Sequence, residues 1–260
     1  MRKLLGSMVA LAALALSANA AISLVDGNKV TENFDGLINT GSTPLNATVG
    51  FVNALAGSGF DATKVSGTGS TLSLIANDGL SNTGAVYSYG SAGSAERALG
   101  SLASGSNVPA IGTELVNNTG VEITSLLIEF YREQWRSSTS TQNVLAFAYG
   151  VSGGTADSSN YLNEGSLVAF NALDAVGEPA VATNGALDGN APEHRVLVSA
   201  ALSVSIPAGS SLFIRWTDTN DVGNDAGLAL DDLSITPTLV PEPSTLAALA
   251  LLGIAALRRR

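Results

Sequence analysis

Glu122-Ile123-Thr124-Ser125-Leu126-Leu127-Ile128-Glu129-Phe130-Tyr131-Arg132 decides the fold class. Apolar and polar residues alternate along much of it, so in an extended chain Ile128 and Phe130 face one way and Glu129 and Tyr131 the other. The period is two, not 3.6, which reads as a strand with one buried face. Residues 195–206 repeat the pattern, with Val196, Val198, Ala200, Leu202, Val204 and Ile206 on one face. Further β-rich runs lie at 71–76, 85–89, 111–116, 143–151, 166–171, 211–217 and 227–236. Clusters of Gly, Ser, Asn and Thr at 57–59, 67–70, 77–84, 153–160 and 184–190 separate them as turns. Helix is confined to two candidate stretches, 45–56 and 95–102.

Nine or more short strands with Gly-rich turns predict an all-β chain: a single β-sandwich of jelly-roll type over residues 21–237. Composition narrows the role. The chain has 260 residues, of which 13% are charged, against about 25% in a usual soluble domain. With residues 1–20 and 241–260 set aside, 7 basic and 21 acidic residues remain, a net charge of −14. Such a body repels nucleic acid. The absence of cysteine rules out a disulfide scaffold, and with only one histidine zinc, haem and thiol chemistry are nearly excluded.

The ends differ from the body. Arg2 and Lys3 precede an apolar run over 4–16, and Ser17-Ala18-Asn19-Ala20 supplies the small residues that signal peptidase requires, so cleavage is expected after Ala20. At the other end Pro241-Glu242-Pro243 is followed by an apolar run over 246–257 and then Arg258-Arg259-Arg260. A helix of that length reaches about 18 Å, short of a hydrocarbon core of about 30 Å. The arginines would hold it on the cytoplasmic side, leaving residues 21–240 outside.

Residues 238–260, with Pro241, Glu242, Pro243, a short apolar helix and Arg258, Arg259 and Arg260 in that order, resemble the PEP-CTERM sorting signal of Gram-negative bacteria. The resemblance implies recognition by an exosortase, transient anchoring in the inner membrane, and delivery to the cell surface or an exopolysaccharide matrix. A permanent short tail anchor is the competing reading. Glu32-Asn33-Phe34-Asp35-Gly36-Leu37, Trp216-Thr217-Asp218 and Gly227-Leu228-Ala229-Leu230-Asp231-Asp232-Leu233 resemble terminal strands of lectin-like jelly rolls of the MAM and carbohydrate-binding kinds. In those folds the first and last strands pair and their acidic residues hold a structural Ca²⁺. The resemblance therefore implies Glu32 or Asp35 and Asp231 or Asp232 as ligands.

Independently, Asp218, Asn220, Asp221 and Asp225 crowd hard oxygen donors onto a Gly-containing loop, which suits Ca²⁺. Their spacing is not that of an EF-hand, and a solvated hairpin turn is the alternative. In a regular strand Asp231 and Asp232 point to opposite faces, so one of them faces inward or is paired. Tyr131-Arg132-Glu133-Gln134-Trp135-Arg136 offers aromatic faces beside hydrogen-bonding groups, making Tyr131 and Trp135 candidate glycan contacts. The competing reading packs Trp135 over the sandwich edge. Gly150-Val151-Ser152-Gly153-Gly154 matches a nucleophile elbow, and Asp174 or Asp188 with His194 completes the order of a hydrolase triad. The residues after Ser152 are turn material in an all-β context, so no catalytic residue is assigned. Glu129, Glu133 and the acidic loop offer no pair spaced for glycoside hydrolysis. The sequence thus predicts an exported, non-catalytic surface or matrix protein, processed by signal peptidase and exosortase and able to contact exopolysaccharide. An extracellular hydrolase acting on polysaccharide is the alternative.

Overall fold

The structure, a computed structural model, describes residues 21–152, 157–163 and 165–240. The expected signal helix and C-terminal helix lie outside these residues. Among the described residues no helix is long and apolar enough to cross a membrane.

Two sheets form the molecule. The first runs β12 (Val168–Ala169), β11 (Val144–Val151), β15 (Ser211–Asp218), β9 (Val108–Asn117), β5 (Asp61–Ser66) and β4 (Asn53–Ala54), with β1 (Ala21–Leu24) on β9 and β13 (Ala175–Val176) on β11. The second runs β14 (Arg195–Ile206), β10 (Ile123–Arg136), β16 (Gly227–Leu239), β8 (Ala98–Leu102), β7 (Ala85–Tyr89), β6 (Leu72–Asn77) and β3 (Ser42–Leu45), with β2 (Val30–Glu32) on β16. From β9 onward the chain changes sheet at each long strand, β9 to β10, β11, β14, β15 and β16. That alternation is the jelly-roll path, and it makes the fold an all-β sandwich. Every strand among the described residues lies between Ala21 and Leu239, so residues 21–240 contain both sheets as described.

The alternation in β10 is realised: Leu126, Ile128 and Phe130 are buried in the core, while Glu129 and Tyr131 stand on the outer face of the second sheet. Trp216 sits at the centre of the core. Its ring meets Phe147 at 4.9 Å, Phe130 at 5.4 Å and Phe60 at 6.3 Å, and its indole N–H donates to the Leu173 carbonyl at 2.9 Å. A smaller cluster of Tyr87, Tyr89 and Trp135 occupies the opposite side of the second sheet. The segment 177–194 crosses over it, bonding Leu187 N–H to the Trp135 carbonyl.

Both helix expectations are overturned. Residues 95–102 contain β8, in which all five strand residues are buried. Residues 45–56 contain the end of β3, turns, and β4. There Asn53 bonds the backbone of Asn46, Phe51 and Ala62, so its side chain takes backbone partners that a helix would use within itself. The run at 166–171 shortens to β12, followed by a 3-10 turn at Asn171–Leu173.

Candidate functional site

The outer face of the second sheet carries a row of small polar groups across four strands. Thr31 of β2 lies opposite Ser234 of β16, Ser234 opposite Glu129 of β10, and Glu129 opposite Ser199 of β14. The Glu129 carboxylate accepts hydrogen bonds from the Ser199 hydroxyl at 3.0 Å and the Ser234 hydroxyl at 3.5 Å. Tyr131 and Leu197 stand one step along the same strands, and Lys29, Glu32, Asn33 and Asp232 complete the walls of an open groove of about 680 Å³. Leu197 is 53% exposed, so the groove presents an apolar surface beside its hydroxyls.

Tyr131 is held by Arg195, whose guanidinium carbon lies 3.4 Å from the ring centroid. The same guanidinium donates to Glu133 at 2.9 Å, Asp231 at 3.2 Å and Asp232 at 2.6 Å. A β-bulge brings the last two together. Between the Glu129–Ser234 and Tyr131–Asp231 pairs, β10 contributes one residue and β16 two, and Asp232 takes a positive φ of 46°. The bulge removes the opposite-face problem read from the sequence, because both carboxylates reach one arginine.

Glu133 is fully buried and also accepts from the Trp135 indole N–H at 3.0 Å. Burial, and next the charge of Asp231, push its carboxyl up to about 8. Burial and then Asp232 push Asp231 to about 6. Glu96 closes this group: one carboxylate oxygen each from Glu96, Glu133 and Asp231 lie within 4.8 Å of one another. The sequence gives no local signal for Glu96 or Arg195 as members of this group, because their partners are far away along the chain.

The expected metal ligands divide between two places. Asp35, Asp231 and Asp232 line one small pocket with Arg195, and Glu32 lines the adjoining groove. Each already has protein partners: Glu32 accepts from the Phe34 and Gly59 backbone N–H groups, and Asp35 from Arg97 N–H. Arg195 supplies the cation for the other two. Asp218, Asp221 and Asp225 lie elsewhere, Asp218 as the last residue of β15 and the other two in the loop that joins it to β16. Asp218 accepts from the Ser101 hydroxyl at 2.8 Å, Asp221 from the Asn143 amide, and Asp225 from Asp221 N–H. Asn220 and Asp225 line a shallow pocket with Asn82 and Ser104. Among the described residues none of these three aspartates joins an ion pair. Burial first, and then the charge of neighbouring aspartates, push Asp218 up to about 8 and Asp225 to about 6.

Of the two aromatic candidates, Tyr131 opens on the groove and Trp135 does not. Trp135 is 1% exposed, its ring stacked on Tyr89 at 5.8 Å and covered by Gly189, where an added Cβ would fall 2.3 Å from the indole nitrogen. The expectation of a glycan contact at Trp135 is therefore corrected to a packing role. The triad residues are not assembled: Ser152 accepts from Ser211 N–H, Asp174 from Phe147 N–H, and His194 contacts Glu178 at 2.7 Å.

A family model described as the PEP-CTERM protein-sorting motif matches residues 239–260, which include Pro241, Glu242, Pro243 and the three terminal arginines. The chain carries a PEP-CTERM signal. That signal implies processing by an exosortase and export to the cell surface or beyond. No curated protein matches this chain. Solved structures similar to it include the CBM22-1 xylan-binding domain of Paenibacillus barcinonensis Xyn10C, at 13% identity over 84% of this chain and 99% of that one, TM-score 0.35. Another is the K3 cleaved adhesin domain of Lys-gingipain from Porphyromonas gingivalis, at 14% identity over 80% and 98%, TM-score 0.39.

Proposed function

We propose that this protein is an exported, non-catalytic glycan-binding module, sorted by an exosortase system to the cell surface or exopolysaccharide matrix. The observation that carries this reading is the outer-face groove. It sets a tyrosine braced by an arginine and an exposed leucine beside a cross-strand row of hydroxyls and a carboxylate. Sugar rings offer apolar faces for stacking and rims of hydroxyls for hydrogen bonding, and the groove offers a counterpart to each. Its volume lies within the range of about 300–1,000 Å³ usual for ligand sites. Among the described groups Glu129 faces this groove, whereas Glu133 is sealed against Trp135 and Arg195, so the two glutamates do not share an open cleft.

The second component of the proposal is a structural Ca²⁺ at Asp218, Asn220, Asp221 and Asp225. Oxygen donors without a bonded cationic side chain suit that ion, whereas Arg195 occupies the Glu133–Asp231–Asp232 group.

The test uses residues 21–240 and a panel of soluble polysaccharides. Binding by at least one polysaccharide, weakened tenfold or more by Tyr131→Ala with the melting temperature little changed, is the expected result. Release of reducing ends by the wild-type protein would replace the non-catalytic reading with the hydrolase one. Binding to no glycan in the panel, or binding that Tyr131→Ala leaves unchanged, would remove the groove from consideration.

A further inference from the structure

The two sheets are finished differently at their edges. β1, β2, β3, β4, β12 and β13 are two to four residues long, and β3 contains Pro44, which lacks a donor. Short or proline-bearing edges are poor templates for another chain. β14 is twelve residues long and, among the described residues, pairs only with β10. Every second residue of it therefore turns its N–H and C=O away from the sheet. From Val196 to Ile206 the strand has no charged residue and no proline. Natural sheets usually protect such an edge with lysines, proline or a bulge. β14 has no lysine or proline along that run, and its one irregularity, Val204 and Ser205 opposite the single residue Thr124 of β10, lies at its C-terminal end beyond the regular stretch that stops at Ser203.

We infer that the free edge of β14 pairs with β14 of a second copy of this chain. Three observations select a copy as the occupant. The body carries a net charge of −14 between residues 21 and 240, so a second acidic copy is tolerated best where charge is absent, and this edge is such a place. The run is also complementary to itself. Its midpoint is Ala201, and an antiparallel two-fold pairing centred there sets Ser199 against Ser203 on the outer face, both within the regular stretch of the strand. On the inner face the same register sets Ala200 against Leu202, so apolar meets apolar. Finally, Val198, Ala200 and Val204 pack against the core but remain half-exposed at the edge, and a second strand would complete their burial.

The pairing has a geometric consequence that rests on the glycan reading above. A two-fold axis through Ala201 runs perpendicular to the sheet, so both Tyr131 grooves open on one side of the joined sheets. Two weak sites on one polysaccharide bind with avidity that neither has alone.

The experiment is sedimentation of residues 21–240 without glycan and in chelator, from micromolar to about 0.5 mM, a range that detects even a weak association. The wild type is expected to move from one chain toward two as concentration rises. Ala201 is exposed, so Ala201→Lys and Ala201→Glu are each expected to fold, checked by melting temperature, and to remain monomeric, because like charges then face each other across the axis. An equimolar mixture of the two variants is expected to recover the dimer. The same lysine placed at Thr43 on β3 is expected to leave association intact. A wild type that stays monomeric throughout, or variants that associate as the wild type does, would overturn the inference. Neither outcome touches the groove, whose binding is read separately on the monomer.

Discussion

Arg195 links the groove to the buried carboxylates behind it: one guanidinium stacks on Tyr131 and bonds the exposed Asp232 as well as the buried Glu133 and Asp231. Removing it leaves Glu133 buried with an acidic neighbour and no counter-charge, and breaking a buried pair in this way costs about 3 kcal/mol or more. Arg195→Ala is thus expected to lower stability by about that amount at about pH 9.5, where Glu133 is ionised, measured by urea unfolding. At pH 5 the loss should shrink, because Glu133, held near 8, and Asp231, held near 6, are then protonated and need no arginine. An equal loss at both pH values would show that packing, not charge, is what Arg195 contributes. Tyr131 and Trp135 show how far reading by single residues extends. They are four apart in one strand and look equivalent in sequence, but only the segment 177–194, folding back over Trp135, decides which ring stays open.

Among the strands, the legible ones are those with one buried face and enough length to show a period. β10 and β14 are read almost in full, and β9, β11, β15 and β16 in large part. The short strands β3, β4 and β5 stay hidden because two to six residues among Gly, Asn and Ser carry no period. β8 reads as a helix because it is buried on both faces, so its Ala and Leu residues do not alternate with polar ones. The bulge at Asp232 is invisible for a different reason, since it is a mismatch of register between β10 and β16. It has a testable cost. A left-handed φ is tolerated by Asn and resisted by β-branched residues. Asp232→Val is expected to destabilise by about 1 kcal/mol more than Asp232→Asn, both having lost the carboxylate, as read from unfolding midpoints. Equal midpoints would mean that the backbone relaxes to a regular strand when the charge is removed.

Across the sandwich as a unit, the buried part of its acidic excess sets the response to pH. Four carboxyls are raised above their ordinary values near 4, Glu133 and Asp218 to about 8 and Asp225 and Asp231 to about 6, each chiefly by burial. Between these values and those of the unfolded chain, the native state holds more protons than the unfolded one, so stability falls as pH rises. The stabilising contribution is complete below about pH 4 and is lost progressively up to about pH 8. In chelator, the melting temperature of residues 21–240 is therefore expected to be higher at pH 5 than at pH 8.5. Calcium at Asp218, Asp221 and Asp225 would compete with those protons, so its addition should raise the midpoint more at pH 8.5 than at pH 5. A midpoint that rises with pH in chelator would contradict the burial of these carboxyls. A fall with pH that calcium does not reverse would leave the burial intact and remove the metal from the loop.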